Sequence, residues 1–465
     1  MKTNRLILAV LFSLFLIPGL FAQKQLPPEG GKPKDFKLPQ KQTFTLDNGL
    51  KVTMVPYGSL PKVTVSVIIR SGNLNERSNE VWLADITGDM MKEGTTIRSA
   101  QQIAEEAAAM GGTLNISTGL DQTTVNGDVL SEFGPKLVAL AADIVRNPKL
   151  PESELARIKN DRVRQLTVAK SSPQQQTLEQ FRRIIHGDHA YGRIFPTQQM
   201  LEGYTLAQIK DFYQKNFGAK RTSIYVAGAF DAKAMEKAIR DAFSGWKQGP
   251  EPLIDIPQPS SKKAFHLIDR PGAPQSTIYV GLPVANPYDN DYVPLIVTNA
   301  LLGGSFGSRI TSNIREQKGY TYSPFSTVSS RYRDAYWAEM ADVTTDVTGP
   351  ALQEIYNEID RLQNEPPPQE ELRGIQNYLS GTFVLQNSSR GGIIGQLNFL
   401  NLHGLREEYL TSYVKNVHTV TPEKVSEIAR KYMREEDMTL VITGDKKKIE
   451  AQIQEYAKPA PEMKK

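Results

Sequence analysis

The two halves of the chain repeat one another, and this repeat is the strongest constraint on the fold. GPKLVALAADIVRNPKLPESELARIKN begins at Gly134, and GPALQEIYNEIDRLQNEPPPQEELRGIQN begins at Gly349. Both copies run from Gly-Pro through an amphipathic helix and a proline-containing break into a second helix that opens with acidic residues. The repeat predicts two domains of the same architecture; the alternative is a chance likeness between two ordinary helix pairs.

A proline-rich segment lies near the midpoint of the 465-residue chain. GPEPLIDIPQPSSKK, residues 249–263, contains four prolines, which exclude a regular helix and favour an extended, semi-rigid linker. We therefore expect an N-terminal domain over residues 43–248 and a C-terminal domain over residues 264–456. Residues 23–42 and the tail 457–465 are rich in proline and lysine without periodicity, and we expect them to be flexible or disordered.

The first 22 residues have the composition of an export signal. Lys2 and Arg5 precede an apolar run from Leu6 to Ile17, and a Pro-Gly break leads to Ala22, where a signal peptidase could cleave. The run is too short to span a bilayer comfortably, and no later stretch is long and apolar enough to do so. We expect a signal peptide over residues 1–22, no integral membrane segment after its removal, and export, to the periplasm in preference to secretion.

Composition excludes several classes of function. The chain has no cysteine, which rules out disulfides, a thiol nucleophile and thiolate metal ligands. Removal of residues 1–22 takes away two bases and no acid, so the formal net charge falls from +4 to +2. Nucleic-acid binding needs clustered lysine and arginine, and this near-neutral balance argues against it.

Strand and helix signals are interleaved in both halves. TFTLDNGLKVTMVPYG carries a hairpin signal at Asn48 and Gly49, and PKVTVSVIIRSG and PQSTIYVGLPV are β-branched and alternating. Ser99 and Gln102 form a capping box before AQQIAEEAAAM, which stops at Gly111. These signals predict the α+β class, with two homologous domains of mixed sheets and helices, and not a doubly wound parallel sheet.

The stretch LADITGDMMKEGTT, residues 83–96, is the first candidate site. Asp85 and Asp89 stand one turn apart on a predicted helix, with Gly88 between them. Such a pair could take a hard cation weakly, but it is more often solvated or bonded to neighbouring side chains. The five histidines add little, because His186 and His189 lack a third ligand and the other three lie in separate elements.

The second candidate site lies in NIREQKGYTYSPF. Arg315 falls in the last turn of a helix that Gly319 can end, and Tyr320 and Tyr322 are predicted to begin a strand. Arg315 and one tyrosine could then converge on a carbonyl oxygen. The alternative is a tyrosine at the edge of the core and an arginine that suits the helix dipole.

A glycine-rich run precedes this segment. It joins the helix YVPLIVTNALL to the helix SRITSNIREQK and lacks the spacing and the lysine of a phosphate loop. It is either a plain helix–helix connection or a backbone surface that a peptide can approach closely, formed by Gly303, Gly304, Ser305 and Phe306.

Together these segments resemble the pitrilysin/insulinase family of zinc peptidases, the inverzincins, whose motif is H-x-x-E-H. The resemblance runs from Thr43 to about Tyr456 and rests on LADITGDMMKEGTT, MGGTLNIST, HAYGR, the Gly-Pro helix pairs, LLGGSFGSRI and REQKGYTYS. It implies two homologous α+β domains in a pseudo-symmetric clamshell that closes on a peptide, a metallopeptidase-like fold similar to LuxS and the processing peptidases.

The resemblance implies that the zinc site is lost. Against the family's pattern LAHFLEHMMFKGT, Asp85 and Asp89 stand at the two histidine ligands, and Gly88 stands at the glutamate base. The downstream glutamate ligand falls near NDRVRQL, where Arg164 or Gln165 stands, and an arginine there would repel a cation. Because the base is missing, nothing would activate water, and we expect no cofactor on this chain.

The rest of the family's machinery is retained. The pattern R-x-x-x-G-x-x-Y matches Arg315, Gly319 and Tyr322, and the resemblance implies that Tyr322 acts in trans as oxyanion donor and Arg315 as substrate clamp. TLNISTGLDQTTV resembles the peptide-docking edge strand, where Asn115 fits and Ile116 replaces the usual small residue.

This resemblance predicts the zinc-less subunit of a heterodimeric exported metalloendopeptidase, inactive alone, with zinc in a homologous partner and peptides or unfolded proteins as substrates. Two alternatives stay open. The chain resembles non-proteolytic scaffold subunits of larger complexes, in which the Arg/Tyr pair is a remnant. It could also be a periplasmic peptide-binding protein that works alone.

Overall fold

The computed structural model describes residues 36–457. The signal peptide expected over residues 1–22, most of the segment 23–42 and the end of the tail lie outside this range. Within it, each half of the chain forms one β-sheet with helices packed against it.

The N-terminal half forms a six-stranded sheet in the order β1-β2-β6-β3-β5-β4. Only β2 and β6 are parallel neighbours, and the other pairs are antiparallel. Its elements are β1 (Gln42–Thr45), β2 (Lys51–Pro56), β3 (Lys62–Ile69), α1 (Leu83–Lys92), α2 (Ala100–Ala109), β4 (Thr113–Thr118), β5 (Thr123–Leu130), α3 (Gly134–Arg146), α4 (Glu152–Ser171), α5 (Pro173–His186), α6 (Gln198–Gly203), α7 (Leu206–Asn216), β6 (Thr222–Gly228) and α8 (Ala232–Phe243).

The C-terminal half forms a five-stranded sheet in the order β7-β11-β8-β10-β9. Its elements are β7 (Ala264–Asp269), β8 (Gln275–Pro283), α9 (Tyr292–Leu302), a π-helix (Thr311–Gln317), β9 (Phe325–Arg331), β10 (Asp334–Thr344), α10 (Thr348–Asn364), α11 (Gln369–Gln386), α12 (Arg390–His403), α13 (Glu408–Thr411), α14 (Tyr413–His418), α15 (Pro422–Tyr432), β11 (Thr439–Gly444) and α16 (Lys446–Ile449).

The two sheets share one topology. The order β2-β6-β3-β5-β4 of the first sheet corresponds strand by strand to the order β7-β11-β8-β10-β9 of the second. In both sheets the first two strands of this order are parallel, and β1 is an additional edge strand of the first sheet. The Gly-Pro helix pairs recur as α3–α4 and α10–α11. The predicted α+β class, with two homologous mixed sheets, is therefore confirmed.

The local signals that led to this prediction have the expected geometry. Gly49 connects β1 to β2 with a φ of 91°, and Gly111 follows α2 with a φ of 72°, values at which a side chain is strained. The Ser99 side chain accepts from the backbone N–H of Gln102, and the Gln102 side chain accepts from the Ser99 N–H. The capping box therefore begins α2 as predicted.

The two halves exchange one helix each. Helix α5 of the N-terminal half packs on the C-terminal sheet, and α12 of the C-terminal half packs on the N-terminal sheet. The first contact joins Phe181 and Ile185 to Tyr279, Tyr336 and Val441. The second joins Ile393, Ile394 and Leu397 to Val55, Ile68 and Tyr225. Each sheet thus buries one face against its own helices and the other against the opposite half.

The segment before β1 also packs against the C-terminal half. Phe36 meets Phe383 edge-on, with ring centres 5.1 Å apart, and Lys41 forms an ion pair with Glu407. Among residues 36–457, no helix combines the length and the apolar character that crossing a membrane requires.

Candidate functional site

Arg162 joins the two aspartates of α1. Asp85 and Asp89 lie four residues apart on one helical face, and α4 brings the Arg162 guanidinium between them. Its Nε donates to Asp89 Oδ2 at 2.6 Å, and its Nη1 donates to Asp85 Oδ1 at 3.3 Å. The three side chains are only 15–21% exposed. Lys92 Nζ also lies 2.8 Å from Asp89 Oδ1, so Arg162 and Lys92 together balance the two carboxylates within the chain.

A second layer of polar groups supports Asp85. Asn73 Nδ2 donates to Asp85 Oδ2 at 2.7 Å and to Glu76 Oε1 at 3.0 Å. Glu76 also accepts from the backbone N–H groups of Trp82 and Ala84, at 3.2 and 2.8 Å. Trp82 needs this support, because its φ of 69° is the left-handed conformation that side chains disfavour. Glu76 thus holds the turn from which α1 starts.

Burial raises the pKa of Glu76 from its ordinary 4.5 to about 8. The folded protein then keeps a proton that the unfolded chain releases above pH 4.5, so stability falls as the pH rises towards 8. Between pH 6 and pH 7, we expect the wild type to lose up to about 1.4 kcal/mol more unfolding free energy than Glu76→Gln. Urea unfolding at the two pH values measures this difference. If the unfolding free energy changed equally with pH in both proteins, Glu76 would not be the group that keeps its proton in the folded state.

The family's zinc does not fit these side chains as they stand. A guanidinium already lies between the two carboxylates, and a metal ion there would meet its positive charge. At the position of the base, a Cβ on Gly88 would lie 2.4 Å from Thr118 Oγ1, so a side chain needs Thr118 to move. Residues 36–457 contain no group of three or more His, Cys, Asp or Glu residues placed to hold a metal.

The family's zinc motif indicated Arg164 or Gln165 at the position of the downstream glutamate ligand, but the arginine beside the aspartate pair is Arg162. Arg164 is 71% exposed and forms an ion pair with Asp161 on its own helix, away from α1. Gln165 contributes only indirectly, since its Oε1 accepts from Arg162 at 3.2 Å. Residue 164 lies two positions from Arg162, which on an α-helix is the opposite side. The expectation for Arg164 is therefore corrected to Arg162.

His186 and His189 lie at the junction between the halves. His186 Nε2 is 2.9 Å from Asp334 Oδ2, and both side chains are at most 1% exposed. His189 Nε2 is 3.4 Å from Asp255 of the linker. Each histidine therefore has a carboxylate partner in the other half or in the linker.

Arg315 and Tyr322 come together in the C-terminal half. The Arg315 guanidinium carbon lies 4.4 Å from the centre of the Phe306 ring and 5.3 Å from that of Tyr322. Tyr322 is 83% exposed and Phe306 is 74% exposed, so both rings face solvent. Stacking restrains the guanidinium, whose Nε lies 3.2 Å from Glu316 Oε1, and the donors of its two terminal nitrogens are the ones that a ligand could use. The structure thus places Arg315 beside one of the two tyrosines, Tyr322, and their convergence on a carbonyl oxygen stays a prediction.

The strand after Arg315 starts later than predicted. Gly319 ends the π-helix with a φ of 65°, and Tyr322 lies in the loop that follows. Only Thr321 forms an isolated bridge, to Val343, before β9 begins at Phe325. Pro324 lacks the N–H that a strand needs, which accounts for the delay. Tyr322 is consequently a loop residue.

The glycine-rich run packs closely against the side chains of Glu339 and Asn299. A Cβ on Gly303 would lie 2.5 Å from Glu339 Oε2, and a Cβ on Gly304 would lie 2.3 Å from Asn299 Nδ2. Burial raises the pKa of Glu339 well above its ordinary value. Ser305 is half-buried, and Phe306 stacks on Arg315. Two of the glycines are thus required for packing, and Phe306 belongs to the Arg315 cluster.

Strand β4, the predicted docking strand, lies at the edge of the N-terminal sheet. It pairs only with β5 among the described strands, and Asn115 is exposed on it. The Gly119 N–H bonds to the Gln122 carbonyl, so the alternation of an antiparallel pair turns the N–H groups of Leu114, Ile116 and Thr118 outward. A cavity of about 320 Å³ beside β4 is lined by Met91, Ile103, Ala107, Leu114 and Ile116.

The two clusters lie in different halves, and no hydrogen bond or ion pair within residues 36–457 joins one to the other. Arg162 is the main residue that sequence reasoning missed. It falls on the buried stripe of α4 with Leu155, Ile158 and Leu166, and an arginine on such a stripe signals a partly buried ion pair. Nothing in the sequence around Phe306, apart from its position in the glycine-rich run, predicted that its ring stacks on Arg315.

Two sequence profiles of one family match the chain. The profile described as Insulinase (Peptidase family M16) matches residues 55–195, which include the Asp85–Asp89 pair. The profile described as Peptidase M16 inactive domain matches residues 203–379, which include Arg315 and Tyr322. The matches therefore fall on both halves and on both clusters.

Similar proteins are consistent with these profiles. The chain is 27% identical over 327 residues to an uncharacterized zinc protease of Rickettsia bellii (strain RML369-C), across 70% of this chain and 79% of that protein. A solved structure of a peptidase M16 inactive domain from Pseudomonas fluorescens matches with a TM-score of 0.79 at 24% identity, across 87% and 98% of the two chains. A protease from Helicobacter pylori matches with a TM-score of 0.82 at 20% identity, across 88% and 100%. Profiles, relative and fold agree that this chain belongs to peptidase family M16, the pitrilysin/insulinase family.

Proposed function

We propose that this chain is the zinc-less subunit of a heterodimeric exported peptidase and that it supplies Arg315 and Tyr322 to a zinc-bearing homologous partner. One observation carries the proposal: a guanidinium lies between the aspartates at the family's metal positions, while the half-buried Arg315 lies beside the exposed Tyr322. The positions of the metal site are therefore occupied by an ion pair, whereas the pair that would contact the substrate stays accessible through Tyr322. We also propose that residues 1–22 direct export, with the periplasm favoured.

The N-terminal cluster supports a role without metal. Arg162 and Lys92 supply the two positive charges that this pair of partly buried carboxylates needs, so Asp85 and Asp89 require no ion from solution. No carboxylate base stands at Gly88 to activate water. On this proposal the zinc and the nucleophilic water belong to the partner.

The C-terminal cluster supports a role in binding a reacting carbonyl. The Tyr322 hydroxyl can donate one hydrogen bond, and the Arg315 guanidinium can donate several to substrate carbonyl groups. Donors that are held in place before the reaction stabilise a developing oxyanion most effectively. The stacking of Arg315 between Phe306 and Tyr322 provides this restraint.

An extended peptide is the substrate form that the edge strand favours. The outward N–H groups of Leu114, Ile116 and Thr118 can pair with an added strand, and the cavity beside β4 can take an apolar side chain. Asn115 also lines this cavity and is exposed, so it is available to the side chains of the peptide.

Leu114→Pro tests this docking mode. Because the Leu114 N–H points away from β5, proline should leave the sheet intact and delete one donor to the peptide. We expect about tenfold weaker binding of a labelled extended peptide, measured by fluorescence anisotropy. Leu114→Ala keeps the N–H and is the matched control; equal affinities for the two variants would rule out strand addition at β4.

Reconstitution tests the proposed function as a whole. The chain is purified alone and together with an H-x-x-E-H homologue from the same organism, and hydrolysis of a quenched fluorescent peptide is measured with and without a chelator. We expect chelator-sensitive hydrolysis only from the pair. A complex that never hydrolyses peptides would favour a scaffold subunit, and peptide binding by the chain alone without any complex would favour a stand-alone binding protein. Zinc-dependent hydrolysis by this chain alone would overturn the proposal.

A further inference from the structure

Two arginines, one from each half, interact through their charges where the halves meet. Arg182 is on α5 of the N-terminal half and is only 6% exposed. Arg331 ends β9 of the C-terminal half, and its guanidinium carbon lies 5.2 Å from the centre of the Tyr336 ring. Burial, and then the charge of Arg331, lowers the pKa of Arg182 to about 10. Two like charges therefore repel one another at this junction.

Both guanidinium groups have donors without acceptors. Within residues 36–457, the Nε and Nη2 atoms of Arg182 and the Nε atom of Arg331 are buried and have no hydrogen-bond partner. The nearby carboxylates are engaged elsewhere. Asp334 bonds to His186 at 2.9 Å, and Asp121 accepts from the Tyr191 hydroxyl. Buried charged donors without partners are costly, and an ion or water normally satisfies them.

The local charge is positive. The guanidinium of Arg70, 4.5 Å from the centre of the Tyr332 ring, also acts on Asp121. Arg70, Arg182 and Arg331 thus face two carboxylates, Asp121 and Asp334, so the guanidinium groups outnumber these carboxylates by one. Although burial opposes it, the charges of Arg331 and Arg182 hold the pKa of Tyr336 below its ordinary value. A single negative charge would balance the cluster.

We propose that a small monovalent anion of the size of chloride or bromide binds between Arg182 and Arg331 at the junction of the two halves. The free guanidinium N–H groups of both arginines bind it, and its charge offsets their repulsion. Because one arginine comes from α5 and the other from β9, the anion stabilises the packing of the exchanged helix on the opposite sheet.

Bromide locates the site directly. Crystals of the wild-type protein grown in sodium bromide should show an anomalous peak within hydrogen-bonding distance of Arg182 and Arg331. In solution, replacing sodium gluconate by sodium chloride at constant ionic strength should raise Tm by about 2 °C and then saturate, because the anion binds only the folded state. Water alone between the two arginines, bromide only at other positions, or equal Tm in the two salts would overturn the proposal.

Variants separate this site from a general salt effect. Arg182→Gln and Arg331→Gln should lose the chloride dependence of Tm. Arg183→Gln, which changes the exposed neighbouring residue of α5, should keep it. The same chloride dependence in Arg182→Gln as in the wild type would also refute the site. Should Arg182→Gln fail to fold, the bromide peak in the wild type decides.

Discussion

Replacing Tyr322 with phenylalanine should lower peptide hydrolysis by the reconstituted pair about 10²- to 10³-fold. The change removes one hydroxyl and keeps the ring, so the stacking against Arg315 remains. Because Tyr322 is 83% exposed, the loss of its hydroxyl should not alter folding. The hydroxyl is proposed to donate only to the charge that develops in the transition state, so the effect should appear in kcat more than in KM.

Two further variants make this test specific. Tyr378→Phe, a change of the same kind at a 49% exposed position on α11, should leave hydrolysis unchanged. Arg315→Lys keeps the charge and loses the planar stacking on Phe306 and Tyr322, and it should mainly raise KM. If Tyr322→Phe changed kcat by no more than a factor of about two, the expected donor effect would be missing and the pair would be a remnant.

Local chemistry explains why so much of the fold was predictable. A hairpin at Asn48 and Gly49 or a capping box at Ser99 depends on residues within a few positions, and duplication of the Gly-Pro helix pairs pointed to two copies of one topology. The exchange of α5 and α12 was not predicted. The spacing of Phe181 and Ile185 predicts that α5 buries an apolar face. The spacing alone does not predict which of the two sheets packs against that face.

In the candidate sites too, contacts within one short segment were predictable and contacts between distant segments were not. Asp85 and Asp89 were predicted to share a face, because that depends only on helical geometry. Their partner lies on another helix, and linear comparison with the zinc motif pointed to Arg164 although α4 turns Arg162 toward α1. Arg315 and Tyr322 were found because both lie in one short segment, whereas the start of β9 was misplaced since the bridge at Thr321 is a long-range contact.

The charge balance around Arg162 leads to the second large effect. Arg162→Ala should lower the free energy of unfolding by about 3 kcal/mol, because two carboxylates that are only 17–21% exposed lose their main counter-charge. The matched control is Arg164→Ala on the same helix, which removes an ion pair of a 71% exposed arginine and should cost less than about 1 kcal/mol.

Removing the charges together distinguishes charge compensation from lost packing. In Asp85→Asn/Asp89→Asn/Arg162→Gln the partly buried charges are gone and only Lys92, which is 47% exposed, loses its partner, so the triple variant should regain at least half of the stability that Arg162→Ala loses. Urea unfolding followed by circular dichroism measures all four proteins under one condition. A loss below about 1 kcal/mol for Arg162→Ala would mean that the aspartates need no partner, and a triple variant as unstable as Arg162→Ala would mean that the Arg162 side chain stabilises α1 by packing. Only the charge-compensation outcome is consistent with a guanidinium that acts as the permanent replacement for a metal ion at this position.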